Sequence, residues 1–110
     1  MTGGHSIDLS KTPISSQQKG IVLVFSAYTN STIHDYNFCT YFLPKEFVSL
    51  HPGCGVSIPL SVINHATLGH KYLYFSDKKI TGNDKNNEKG TANGVTYDNK
   101  YWILREVIGI

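Results

Sequence analysis

The chain has 110 residues, 40% of them hydrophobic and 16% charged, a balance that fits one folded domain and excludes a disordered tail. Ten Lys and Arg against eight Asp and Glu leave a net charge of +2, so the concentrated basic face of a nucleic-acid binder is not expected. The longest apolar run, residues 20–28, is far short of the ~20 residues of a membrane helix, so no membrane span is expected.

The first six residues lack the basic start and apolar stretch of a secretory signal. They read as a flexible N-terminal segment or a cloning remnant, opening like a fragment of something longer, with a single domain over residues 7–110. From there the punctuation is that of an all-β protein. Short runs rich in Val, Ile, Phe and Tyr are parted by clusters of Gly, Asn, Asp and Pro. Strands are expected over residues 5–9, 21–28, 36–43, 56–63, 70–76, 79–81 and 101–108. Residues 44–50, opened by Pro44, fit either an edge strand or a single helical turn. No stretch keeps helical periodicity for ten residues.

Two patterns say how the strands are buried. Leu73 and Phe75 alternate with Tyr72 and Tyr74, giving one fully apolar face and one with hydroxyls. Residues 21–25 and 101–104 are apolar on both faces, which marks central strands covered on both sides by a second sheet or another subunit. Residues 82–94 carry nothing apolar larger than alanine and read as a long connection, solvated or functional.

Reactive chemistry finds little support. Cys54 sits between Gly53 and Gly55, with His34 and His51 as available bases, but a turn cysteine entering a strand explains the same residues. Cys39 and Cys54 make no disulfide framework, and free thiols are expected. His65 and His70 are five apart across a turn rather than on one helix face, so no zinc site or other cofactor is expected. Asp84, Asn86 and Glu88 alternate as calcium-loop oxygens do, but Lys85 and Lys89 sit among them and the later bidentate Glu is missing. No paired acid and base is spaced for hydrolysis, and a catalytic role is not expected.

Aromatics beside polar turns form the remaining constellation. A sugar offers C–H faces to aromatic rings and a rim of hydroxyls to carboxylates and amides. Tyr28, Tyr36, Tyr97 and Trp102 are the candidate platforms, with Trp102 reading as core first. Asp35, Asp84, Asp98 and Asn99 are the candidate hydrogen-bonding groups. A nearly neutral chain suits neutral glycans.

Several segments in order carry a resemblance. They are Ile7-Asp-Leu-Ser10, Pro13-Ile-Ser-Ser-Gln-Gln-Lys-Gly-Ile-Val-Leu-Val-Phe-Ser-Ala-Tyr28 and Phe42-Leu-Pro-Lys45 in the first half. In the second half they are Lys71-Tyr-Leu-Tyr-Phe-Ser-Asp77, Ile80-Thr-Gly-Asn-Asp84, Gly90-Thr91, Gly94-Val-Thr-Tyr97 and Tyr101-Trp-Ile-Leu-Arg-Glu-Val-Ile-Gly-Ile110. Together they resemble a C-terminal domain of tail and baseplate proteins, receptor-binding or accessory, of long-tailed phages and prophages of Gram-positive bacteria. Residues 29–37 and 51–55 fit that pattern least. The resemblance implies a virion component at the tail tip or baseplate, made in the bacterial cytoplasm and packed against other tail proteins. It also implies a homotrimer adsorbing to host cell-wall saccharide, where linked weak sites add by effective concentration.

The sequence therefore predicts an all-β, antiparallel β-sandwich or jelly-roll-like domain that binds cell-wall carbohydrate without catalysis. The alternative is a purely structural assembly or trimerisation module that touches no sugar.

Overall fold

The computed structural model describes residues 1–63 and 65–110, and the side chains of all of these but 65–67. It is an all-β domain of two facing sheets. The first contains β1 (Ser6–Asp8), β5 (Cys54–Val62), β6 (His65–Ser76), β7 (Lys79–Thr81), β8 (Lys89–Ala92) and β9 (Val95–Asp98). The second contains β2 (Gly20–Thr29), β3 (Thr32–Ile33), β4 (Cys39–Pro44) and β10 (Trp102–Gly109). A short helix α1 (Lys45–Leu50) follows β4 directly, which settles residues 44–50 as a helical turn behind Pro44.

Alternation builds the core. Ile21, Leu23 and Phe25 of β2 face Ile58 and Leu60 of β5, Leu73 and Phe75 of β6 and Ile80 of β7, with Leu43, Trp102, Ile14 and Val48 closing it. All twelve are nearly fully buried, so the apolar face expected from Leu73 and Phe75 is present. Pro59 lacks an N–H and is tolerated because, among the described strands, β5 pairs with β6 alone and is an edge strand.

The second face of β2 is covered largely from within the chain. Strand β10 pairs with β2 antiparallel, and the register slips between Leu104 and Glu106. That bulge keeps Leu104 and Val107 opposite the core residues Phe25 and Leu23, and it sets Arg105 apart. Its guanidinium donates to Ser26 Oγ (3.0 Å) and His34 O (3.3 Å) on the side of β2 turned from the core. Ser26 and Val24 are buried on this side, while Phe42 and Ile108, flanking Val22 on one rung of the ladder, stay nearly half exposed.

Residues 82–94 are not the long connection expected. A 3-10 turn at Asp84–Asn87 leads into β8, which returns as β9 through Asn93 and Gly94 at φ 52° and 77°. Two positive φ values at an Asn-Gly pair make a tight hairpin turn whose twist matches its strands. Asn30 and Ser31, at φ 51° and 60°, make the same kind of turn between β2 and the unexpected β3. Strand β9 meets β6 parallel, through Leu68 and Tyr97, so the first sheet is mixed.

The edge of β6 has a gap that side chains fill. Strand β7 pairs with residues 74–76 and β9 with Leu68, leaving His70 and Tyr72 between them. Asn86 Oδ1 accepts from Tyr72 N, and its Nδ2 donates to Tyr72 O (2.9 Å) and Met1 O (2.8 Å). Asn99 Oδ1 accepts from His70 N (2.8 Å), and its Nδ2 donates to Lys85 O (2.8 Å). The two amides act as a surrogate strand, satisfying backbone groups that burial would otherwise orphan. Residues 1–5 lie against this network through Met1 O, Gly3 N and the bond from Gly82 N to His5 O.

Asn86→Ala leaves Tyr72 N, Tyr72 O and Met1 O without these partners, and a loss of roughly 2–4 kcal/mol in unfolding free energy is expected. The exposed Asn87→Ala should change it by less than about 0.5 kcal/mol. Urea denaturation of both variants checks the pair.

Candidate functional site

Beside this network, between the ends of the two sheets, lies a cleft of about 790 Å³. That is within the range of small-molecule sites. Its walls include Tyr28, Asn30, Lys71, Asp98, Tyr101 and Trp102, with Lys89 and Lys100 also lining it. Tyr28 is next to last in β2, Asp98 ends β9, and a 3-10 turn at Asn99–Tyr101 delivers Trp102 to the start of β10. The cleft is therefore made where three strand ends converge.

Lys71 is the residue the sequence reading missed. It shares the inward face of β6 with Leu73 and Phe75 and is 4% exposed. Its Nζ donates to Asn86 O (2.7 Å) and Asn99 O (2.6 Å), tying both 3-10 turns to the strand. Burial lowers its pKa from the ordinary 10.5 to about 8, and the opposing influence of the Asp98 carboxylate is smaller. The Met1 amino group is lowered as well, by its own burial first and the Lys71 charge second. Asp98 Oδ1 is buried and takes no hydrogen bond from the described residues. Asp98 is also on the wall of the cleft, where its carboxylate suits a ligand that brings an O–H or N–H.

Of the eight candidates, Tyr28, Asp98 and Trp102 line the cleft together. Trp102 is 1% exposed, so the indole is core rather than an open platform. Tyr101 packs edge-on against it at 4.8 Å, and Gly69 leaves room for the ring, since a Cβ there would overlap it. Asn99 and Asp84 serve structure instead: Asn99 caps β6, and Asp84 Oδ1 accepts from Gly3 N (2.8 Å). Tyr97 lies opposite Gly90 in the β8–β9 hairpin. Asp35 and Tyr36 are on the outer side of the second sheet. Asp35 pairs with Arg105 at 2.8 Å and Tyr36 stacks on His34 at 4.8 Å.

The neutral-glycan expectation does not fit the local charge. Lys71, Lys89 and Lys100 line the cleft against the single carboxylate of Asp98. The small net charge of the whole chain hides this grouping, because it is set by the topology.

The other chemistries resolve differently. Asn86 turns inward while Asp84 and Glu88 stay exposed, so the alternating oxygens do not gather. Among the described residues, no three His, Cys, Asp or Glu side chains group as metal ligands; the side chain of His65 lies outside them. Cys39 and Cys54 are free thiols, and burial raises the Cys39 pKa. Among the described residues no helix is long and apolar enough to cross a membrane. Comparison with protein-family models, curated proteins and solved structures gave no match.

The lowered pKa of Lys71 has a defined consequence for stability. The unfolded chain holds the proton up to about pH 10.5 and the folded chain only to about 8, so folding is penalised below pH 8. Stability must rise with pH across that interval, because the unfolded state there binds more protons. Urea denaturation of the wild type and of Lys71→Met at pH 7 and pH 10 isolates this group. The difference between them should move toward the wild type at pH 10, and no movement would mean a solvated lysine.

Proposed function

We propose that this domain is a non-catalytic carbohydrate-binding module, with the cleft between the two sheets as its site. The observation that carries the reading is the Asp98 carboxylate on the wall of a cleft that Tyr28 also lines. A sugar supplies both complements, a hydroxyl for the carboxylate and a C–H face for an aromatic ring. Tyr101 and Asn30 add a second ring and an amide. The resemblance to phage tail and baseplate proteins supports placing this activity in attachment to host cell-wall saccharide, on a virion.

A second reading is a structural module that assembles tail or baseplate parts, as a trimer, and touches no sugar. The half-exposed Phe42, Ile108 and Phe38 favour it, since apolar residues grouped on one sheet face suit a subunit contact.

Titration calorimetry of the purified domain with cell-wall saccharides from Gram-positive bacteria separates the two. The binding reading expects saturable binding that falls by at least about tenfold in Tyr28→Ala and Asp98→Asn, as loss of a charge-assisted hydrogen bond would give. Tyr36→Ala should leave it unchanged. An oligomer in solution that binds none of the saccharides would support the structural module.

A further inference from the structure

The charges lining the cleft carry the reading one step further, and the step rests on the saccharide proposal above. Three lysines reach one cleft from separate elements: Lys71 from β6, Lys89 from the start of β8 and Lys100 from the turn before β10. They are brought together by the fold, since 29 residues separate Lys71 from Lys100 in the sequence. One carboxylate, Asp98, faces them, and the single ion pair among the described residues is elsewhere, between Arg105 and Asp35. None of the three ammonium groups is thus neutralised by a direct ion pair with a described carboxylate.

We infer that the cleft selects a saccharide bearing an anionic group, a phosphate ester or a carboxylate, that sits among Lys71, Lys89 and Lys100. Lys71 is the fixed member. Two of its three N–H donors are committed to Asn86 O and Asn99 O, which leaves one for the ligand and holds the ammonium in place. Lys89 and Lys100 are exposed and free to close on the anion from the solvent side. Asp98 takes the opposite part: its carboxylate, on the same cleft wall, accepts a ligand hydroxyl and disfavours an anion placed against it. The ligand is thereby given a polarity, with its anionic group toward the lysines and a hydroxyl toward Asp98. Charge-assisted hydrogen bonds in a partly desolvated cleft are about twice as strong as neutral ones.

The test compares N-acetylglucosamine, its 1-phosphate, N-acetylmuramic acid and inorganic phosphate by calorimetry on the full chain. Either anionic sugar should bind at least about tenfold more tightly than the neutral one, and the advantage should shrink as NaCl rises from 50 to 300 mM, on the order of the screening expected there. Lys89→Glu with Lys100→Glu, a surface pair that leaves the core intact, should abolish the preference. Lys71→Met should abolish it too, provided circular dichroism shows the variant folded. Equal affinity for neutral and anionic sugars, or a preference that survives the paired charge reversal, overturns this inference and leaves the saccharide reading standing. Inorganic phosphate binding as tightly as the sugar phosphate keeps the anion subsite and overturns the saccharide reading. No binding of any of the four overturns both.

Discussion

The structure depends on a lysine buried where the sequence pattern asks for a hydrophobe. Lys71 occupies an inward position of β6, and its ammonium is held by two backbone carbonyls, Asn86 O and Asn99 O. A charge in that position is tolerated only when hydrogen-bonded. Its acceptors come from two 3-10 turns that make no regular ladder with β6. The same two residues use their side-chain amides to pair with the edge of β6 at His70 and Tyr72. Charge, carbonyls and amides therefore form one unit: removing any member leaves the others with buried, unpaired groups.

That unit also makes the cleft. Because Asn86 and Asn99 fill the gap along β6, a polypeptide strand does not, and β8 and β9 leave the main sheet as a hairpin joined through the Leu68–Tyr97 contact. The separation leaves space between the ends of the sheets, with Lys71 and Asp98 on its walls. The features that pin the turns are thus the ones that give the cleft its charges. On the far side of the second sheet the Arg105 bulge does a different job. It covers Ser26 and gathers Asp35 and His34, so the half-exposed aromatic cluster there is anchored by an ion pair.

What the sequence reveals follows from how local each cause is. The alternation of Leu73 and Phe75 and the doubly apolar run at 21–25 are local, and both are present in the fold, while at residues 44–50 the sequence left edge strand and helical turn open and the fold takes the turn. The β8–β9 hairpin was also signalled locally, by Asn93-Gly94, but the polar composition of residues 82–94 masked it. Lys71 was not legible, because a lysine at the head of an alternating strand looks solvated until two distant carbonyls are placed beside it. The candidate site divides on the same line. Tyr28, Asp98 and Trp102 meet because their strand ends converge, whereas Asp35 and Tyr36 are carried to the opposite side by the turn at Asn30 and Ser31. Asn99 was singled out as a ligand group, yet its amide is consumed by His70 and Lys85.

The proposal at the centre is that the inter-sheet cleft lined by Lys71 holds a saccharide. Amide chemical-shift mapping by NMR, with a saccharide fraction titrated into the labelled domain, tests it most directly. The account predicts shifts that cluster at Tyr28, Lys71, Asp98 and Trp102 while the amides around Tyr36 and Phe38 stay still. Shifts confined to the Arg105 side of the second sheet, or none at saturating saccharide, would contradict it.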